Sequence, residues 1–316
     1  MSSSPASATD VRRGRGERAD AGRRALERAI VQTVAYADVF DYPLTADEIH
    51  RYLIGLQASR GSVRTALSTS PTLAELLSRN GRYITLAGRE SAIETRRHRA
   101  AVSSAYWGRA VRYGRLIGGM PFVRMVAVTG ALAMDNVADA DIDYLVVTEP
   151  GRLWVCRALV VGVVRAAGMR GVTLCPNYFL SENALVLEER NLFTAHEVTQ
   201  MVPIAGMASY EHLRNLNRWT AEHLPNASGP PRRLAAAEPR GQRARDVVEG
   251  VLRSRLGGRV EDWEMQRKLR KLGERGDGHA EAAFGRDWCK GHFGDHGGLT
   301  LSRFAQRWRD LEPRLA

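Results

Sequence analysis

The chain has 316 residues, a length that accommodates about two domains with separate cores. Hydrophobic residues make up 44% and charged residues 26%, which excludes a largely disordered protein. Three widely spaced cysteines exclude a disulfide framework and favour a reducing, cytoplasmic setting.

The formal net charge is +11, but it is unevenly distributed along the chain. Residues 1–120 carry 19 Lys and Arg against 11 Asp and Glu, residues 121–225 carry 8 against 11, and residues 226–316 carry 19 against 13. An acidic middle between basic flanks is typical of a cation site whose surroundings attract polyanions. A solvated basic surface is the alternative interpretation of the same charges.

The basic N-terminal part divides into a tail and a small domain. Residues 1–24 are rich in Arg and lack the apolar core of a secretory signal, so we expect a disordered basic tail. Residues 25–89 predict three helical stretches and then a short hairpin in GRYITLAG, and Thr45 with Glu48 forms a T-x-x-E capping box. This is the order of a winged helix-turn-helix, although other small helical domains share it. Nucleic acid is therefore a candidate partner of the basic N-terminal region.

The remaining chain predicts an α/β (α+β) protein with a small mixed sheet. A connecting helix is expected over 90–120, a core over 121–225, a Pro- and Gly-rich linker over 226–245 and a C-terminal helical region over 246–316. In the core, PFVRMVAV, DIDYLVV and GVTLCPNYFL predict strands, and Pro176 predicts a bulge or an edge in the third. The apolar helix at 151–168 contains Arg157 and Arg165, so we expect no membrane span. Thr194 and Glu197 predict another capped helix start.

Four aspartates fall within nine residues, 135–143, directly before an apolar strand. Asp141 and Asp143 are two residues apart, so in a strand both carboxylates point to one face. Two neighbouring carboxylates repel each other unless a divalent cation lies between them, and Mg²⁺ prefers such oxygen ligands. We therefore predict a metal site at this pair, with an acidic surface strand as the alternative, and expect Asp135 and Asp139 to be solvated.

A Gly130-Ala131 turn precedes the acidic pair by nine intervening residues. Glycine allows backbone angles that expose amide N–H groups and leaves room for an anion. The turn and the acidic pair are therefore expected to face one pocket. P-loop, dinucleotide-binding and serine-hydrolase motifs are not found in the sequence.

The Gly turn, the gap and the D-x-D strand together resemble the polymerase-β-type nucleotidyltransferase superfamily. The stretches YADVFDYPLTADEI, PFVRMVAVTGALA, DADIDYLVVT, LCPNYFLSENAL and NLFTAHEVTQMVPI are similar to a bacterial family of predicted nucleotidyltransferases with an N-terminal winged-helix-like segment, over roughly residues 28–226. The resemblance implies transfer of a nucleoside monophosphate from an NTP to an unknown acceptor, with one or two Mg²⁺ ions. It implies that Asp141 and Asp143 are catalytic and bind metal, and that Thr129, Gly130 and Ala131 bind the nucleotide. Arg152 is a candidate to balance the phosphate charge.

Two residues depart from the superfamily pattern. Ala131 stands where Gly or Ser is usual, so phosphate binding there would depend on backbone amides. Asn177 stands where a third carboxylate is usual; it can ligate a metal through its carbonyl oxygen but cannot act as a general base. The alternative to an enzyme is therefore a catalytically impaired protein of this fold that acts as a nucleotide- or nucleic-acid-binding regulatory module.

Overall fold

A computed structural model of the protein describes residues 8–138, 141–234, 242–273, 284–290 and 295–315. These residues form a mixed α and β fold that divides into two compact units. Of the described residues, the first unit comprises 8–96, 221–228 and 298–315, and the second comprises those that lie within 97–220 and 229–297. The predicted C-terminal helical region is therefore divided between the two units rather than forming a region of its own.

Helices and strands occur along the described residues in the following order. Up to residue 118 they are α1 (Ala8–Asp38), β1 (Leu44–Thr45), α2 (Ala46–Arg51), α3 (Arg60–Thr69), α4 (Pro71–Leu76), β2 (Leu77–Asn80), β3 (Tyr83–Leu86) and α5 (Ala92–Gly118). They continue with β4 (Val123–Val128), α6 (Gly130–Ala133), β5 (Asp141–Thr148), α7 (Leu153–Gly168), β6 (Thr173–Ser181), α8 (Leu192–Gln200), β7 (Val202–Ala205), α9 (Met207–Leu216) and α10 (Thr220–His223). The last are α11 (Gln242–Leu252), α12 (Arg255–Gly273), β8 (Trp288–Lys290) and α13 (His296–Leu311).

The first unit contains an antiparallel sheet in the order β1-β3-β2 together with α1 to α4. The capping box predicted at Thr45 is present: the Thr45 hydroxyl accepts from the Glu48 N–H at 3.2 Å, and Glu48 accepts from the Thr45 N–H at 2.8 Å. Helix α2 therefore begins at the residue that the sequence indicates.

Helix α1 corrects the prediction of a disordered tail over 1–24, because residues 8–24 belong to it; residues 1–7 lie outside the described part. Ala and Arg, which make up nine of the 17 residues 8–24, have high helix propensity. The later turns of the helix bury Ile30, Val31 and Val34, and that packing stabilises a helix that propagates towards the N-terminus.

The second unit is built on a five-stranded sheet in the order β7-β4-β5-β6-β8. Strands β5 and β6 are parallel, and the other neighbours are antiparallel. The three strands that the sequence predicts, β4, β5 and β6, form the centre. The outer strands β7 and β8 were not predicted, because four and three residues are too few to show an alternating pattern.

Strand β5 separates two apolar clusters, one on each face of this sheet. Ile142, Tyr144 and Val146 belong to one cluster, which includes much of α7. Leu145 and Val147 belong to the other, which includes residues of α8 and α9. The alternation predicted for DIDYLVV is thus observed, and it places Asp141 and Asp143 on the α8 face.

Strand β6 contains the bulge that Pro176 predicts. Asp143 pairs with Cys175 and Leu145 pairs with Tyr178, so two residues of β6, Pro176 and Asn177, stand opposite a single residue of β5. The bulge changes which side chains of β6 face the acidic pair.

The apolar helix α7 lies within this unit. Its N-terminal amides at Trp154 and Val155 each donate to the Glu261 carboxylate at 2.8 Å, so an acid of α12 caps the helix. Among the described residues, no helix has the length and apolar character needed to cross a membrane.

Candidate metal centre

The acidic pair lies at the beginning of strand β5, where the strand enters the sheet. Asp141 and Asp143 are its first and third residues and both are half-buried. Their carboxylate oxygens and the Cys175 sulfur all lie within 4.8 Å of one another. Side chains from two adjacent strands therefore converge on a space of the size that one metal ion fills.

The Gly130 turn lies directly against Asp143. The Thr129 N–H donates to the Asp143 carbonyl oxygen at 3.1 Å, and Gly130 has φ +61°. A Cβ at position 130 would overlap Asp143 Oδ2, so a side chain there would displace the carboxylate. The sequence resemblance implies that this glycine binds phosphate. The geometry adds a second reason for a glycine at this position, which is the close approach of the Asp143 carboxylate.

Thr129 and Ala131 lie on either side of this glycine. Thr129 is the N-cap of the short helix α6, and its side chain makes no capping hydrogen bond. Ala131 is exposed on the first turn of that helix. The structure therefore brings the Gly-Ala turn and the acidic pair together, as the spacing predicts.

Asn177 reaches the acidic pair from the bulge of β6, but as a hydrogen-bond donor. Its side-chain Nδ2 donates to Asp143 Oδ1. An ionised carboxylate only accepts, so the amide atom that meets it is nitrogen. The Asn177 amide therefore holds the Asp143 carboxylate in this structure, and metal ligation by its carbonyl oxygen stays a prediction.

Cys175 and Glu197 are site residues that the sequence interpretation missed. Cys175 is the partner of Asp143 in the β5–β6 register, a position that shows only once the strands are known to be parallel. Glu197 was assigned to a capping box with Thr194, but the side chain that caps α8 is Asn191, which accepts from the Thr194 N–H at 2.9 Å. Glu197 lies beside Val198, a residue of the apolar cluster on the α8 face. The position of an acid next to the apolar face of a helix is the sequence feature that could have identified Glu197.

Burial and like charge act together on the acids of the site. Burial, then the charges of Asp141 and Glu197, raise the pKa of Asp143 to about 7. Burial raises the pKa of Glu197 to about 7, against the opposing effect of Lys290. Burial and the two aspartates raise the pKa of the Cys175 thiol to about 11, and this thiol also hydrogen-bonds Asp141.

Unlike most of the buried acids, those of this site have no ion-pair partner among the described residues. Within the described part of the chain, neither Asp141, Asp143 nor Glu197 forms an ion pair. Elsewhere arginines lie within about 3 Å of Asp38, Glu48, Asp135, Glu149, Glu249 and Glu264. Although the chain is rich in arginine, none of its described arginines pairs with Asp141, Asp143 or Glu197.

Arg152 and Asp135 differ from their predicted roles. Arg152 follows the opposite end of β5; it donates to the Gly151 carbonyl at 2.9 Å and stacks on Phe122, so the structure does not bring it to the acidic pair. Asp135 is not simply solvated, because Trp107 Nε1 donates to it at 2.6 Å and Arg232 binds both its oxygens. Asp139 lies outside the described residues.

Comparison with protein families, curated proteins and solved structures finds no match to this chain. The chemistry of the site must therefore be inferred from its geometry. Two half-buried carboxylates and a third nearby, without a cationic partner, form an arrangement that a divalent cation would stabilise.

Proposed function

We propose that the protein is a Mg²⁺-dependent nucleotidyltransferase that moves a nucleoside monophosphate from an NTP to an acceptor. The observation that carries the proposal is the uncompensated pair Asp141 and Asp143, which lies on one face of β5 with the backbone of Gly130 against it. The sequence resemblance to polymerase-β-type nucleotidyltransferases supports the same assignment. The proposal includes a winged-helix-like arrangement in the first unit and a nucleotidyltransferase-like core in the second.

The donor set of the pair fits magnesium. Mg²⁺ takes oxygen ligands, usually one or two carboxylates, and leaves its other positions to water and substrate phosphates. Asp141 and Asp143 would hold the ion. When bound, Mg²⁺ would supply the positive charge that balances the triphosphate and the leaving pyrophosphate.

The other residues of the site would orient these groups and the substrate. Asn177 holds the Asp143 carboxylate through its amide, and the absence of a side chain at Gly130 keeps that carboxylate in place. The backbone amides at Gly130 and Ala131 would bind phosphate oxygens. Glu197 is the acid, besides the pair, whose charge acts on Asp143, so it is the candidate to accept a proton from the acceptor hydroxyl.

Magnesium-dependent NTP binding tests the proposal. Asp141→Asn and Asp143→Asn, singly and together, should remove Mg²⁺-dependent binding of an NTP that the wild-type protein shows by calorimetry. Glu149→Gln, a change of the same type at the other end of β5, is the matched control. Equal NTP affinity in the double variant and the wild type would contradict the proposal, and Asp143-dependent release of pyrophosphate with a candidate acceptor would support transfer.

A second candidate function is nucleic-acid binding by the first unit. Its hairpin pairs Asn80 with Tyr83, which leaves Gly81 and Arg82 at the tip, and Arg79 and Arg82 are exposed there. Exposed arginines on a hairpin beside a helical domain are suited to contact phosphates. The charges of α3 favour this less, since Arg64 pairs with Asp47 at 3.0 Å.

The salt dependence of DNA binding tests this second function. In a double variant Arg79→Gln/Arg82→Gln, the slope of log affinity against log salt should fall by about 2, since each lost phosphate contact lowers it by about 1. Arg170→Gln, which removes an exposed arginine of the second unit, is the control. An unchanged slope would show that the hairpin does not contact DNA.

A further inference from the structure

The feature that the proposed function leaves unexplained is a sulfur ligand beside the two aspartates. The sulfur of Cys175 and the carboxylate oxygens of Asp141 and Asp143 lie within 4.8 Å of one another. Cys175 is held there by the parallel register, in which it pairs with Asp143. It is half-buried, whereas Cys156 and Cys289 are buried in the apolar core on the opposite face of the sheet.

A thiolate changes the class of ion that such a site selects. Magnesium is a hard ion with oxygen ligands, and sulfur contributes little to its binding. Zinc and cobalt bind thiolate together with carboxylate, with sulfur at about 2.3 Å and oxygen at about 2.0–2.2 Å from zinc. Two carboxylates, one sulfur and an open side match the three protein ligands and free position that are common in zinc sites.

A second, independent observation indicates that the missing partner is a cation. The acids of the cluster form no ion pair within the described part of the chain, whereas Asp38, Glu249 and Glu264 are paired with arginine. The buried Glu261 is held instead by two backbone amides. The positive charge of Lys290 acts on Glu197, but the Lys290 ammonium pairs with Glu189 at 3.5 Å. The negative charge of the cluster is therefore left for a bound ion.

We infer that Asp141, Asp143 and Cys175 form a site for a thiophilic divalent ion of the zinc class, which competes with Mg²⁺ for the same two carboxylates. The inference rests on the proposed function, because it uses the same metal site, and it adds a way in which a second ion would regulate that site. When the ion binds, the Cys175 thiol becomes a thiolate and its proton leaves to solvent. Occupancy by this ion excludes Mg²⁺ and with it Mg²⁺-dependent NTP binding.

Cobalt(II) is the probe, because thiolate ligation gives it a near-ultraviolet charge-transfer band that oxygen ligands do not give. The full-length protein is stripped with a chelator, kept reduced with a phosphine and titrated with Co²⁺. We expect the band in the wild type and in Cys289→Ala. Cys175→Ser should lose the band and bind Co²⁺ at least about 100-fold more weakly, since even changes outside the ligand shell cost about 10- to 100-fold.

Alkylation of the wild-type protein gives a measurement that needs no variant. With iodoacetamide and mass spectrometry, zinc should slow modification of Cys175 by at least about tenfold, because a metal-bound thiolate is a poor nucleophile towards the reagent. Modification of Cys175 at the same rate with and without zinc would overturn the inference. So would Co²⁺ binding to the wild type without the band, or a band that persists in Cys175→Ser.

The failure of this inference is distinguishable from failure of the proposed function. Mg²⁺-dependent NTP binding is measured on the same preparation before Co²⁺ is added. NTP binding without a sulfur band overturns the zinc-class site and leaves the transferase proposal in place. A sulfur band without NTP binding supports the zinc-class site and contradicts the transferase.

Discussion

Acids lie at both ends of strand β5. Those at one end are paired with arginines, whereas those at the other end have no arginine partner among the described residues. At the end of the strand, Glu149 contacts Arg124 and pairs with Arg253 at 2.9 Å. Nearby Glu249 accepts from Arg245 at 2.9 Å and from the Phe122 N–H at 2.8 Å. At the beginning of the strand, Asp141 and Asp143 have no arginine among the described residues.

The pKa values express the same difference. At the paired end, burial opposes ionisation, but the Phe122 N–H and the Arg245 guanidinium outweigh it and lower the pKa of Glu249. At the unpaired end, burial and neighbouring acids raise the pKa of Asp143 to about 7. The first cluster is neutralised by its own arginines, whereas a bound cation would stabilise the second, and such a difference is typical of a functional site.

Removing Glu249 should have the largest effect on stability. Its side chain is 7% exposed and joins three arginines and a backbone amide. Glu249→Ala leaves these groups without their acceptor and should lower the free energy of unfolding by about 3–5 kcal/mol. Urea denaturation measures the change, and a loss below about 1 kcal/mol would show that the paired end does not contribute as a buried network.

A methyl group at Gly130 should have the next largest effect. Gly130→Ala combines backbone strain at φ +61° with displacement of Asp143, so we expect a loss of about 2–3 kcal/mol and weaker divalent-ion binding. Gly151→Ala, beyond the other end of β5, is the matched control, because it has φ +68° and no atom within 4 Å of its added Cβ. That variant should lose only about 1–2 kcal/mol. Equal losses in the two variants would mean that Asp143 is not held against the turn.

Neutralising Asp143 should change stability in the opposite direction. An acid whose pKa is higher in the folded than in the unfolded state binds more protons when folded, so its contribution to unfolding free energy falls as pH rises from about 4 to about 7. Without metal at pH 8, Asp143→Asn should therefore be more stable than wild type by about 1–2 kcal/mol, after allowance for solvent screening. At pH 4 the difference should vanish. Thermal denaturation at both pH values checks this, and a destabilised variant at pH 8 would contradict it.

The smallest effect is expected at the exposed rim of the paired end. Arg253 pairs with Glu149 and Glu249, but its side chain is 50% exposed. Arg253→Gln should lower the free energy of unfolding less than either Glu249→Ala or Gly130→Ala, because exposed ion pairs are screened by water and salt. A larger loss in urea denaturation would show that Arg253 belongs to the buried network.

Much of the second unit could be predicted from local sequence. The alternation in DIDYLVV identifies β5 and its two faces, and Pro176 predicts the bulge in β6, because both depend on neighbouring residues. The Gly130 turn and the acidic pair were also expected to meet. These features need no knowledge of distant contacts.

The features that could not be predicted depend on register or on residues far apart in sequence. Cys175 faces Asp143 only because β6 is parallel to β5 in one register. Either Asn191 or Thr194 could be the N-cap of α8 by sequence alone. With Thr194 as the N-cap, Glu197 would belong to a capping box; because Asn191 is the N-cap, Glu197 is free of that role. Arg152 follows a strand whose opposite end carries the acids, a relation that spacing along the chain does not show.

The cap of helix α7 and the outer strand β8 have a consequence for synthesis on the ribosome. Glu261 caps amides at Trp154 and Val155, and Trp288–Lys290 pairs with Tyr178–Leu180, more than 100 residues earlier. Until those later residues have left the ribosome, the edge of β6 remains unpaired and open to wrong partners. The sheet of this unit and the cap of α7 are therefore completed only after the late segments have been synthesised.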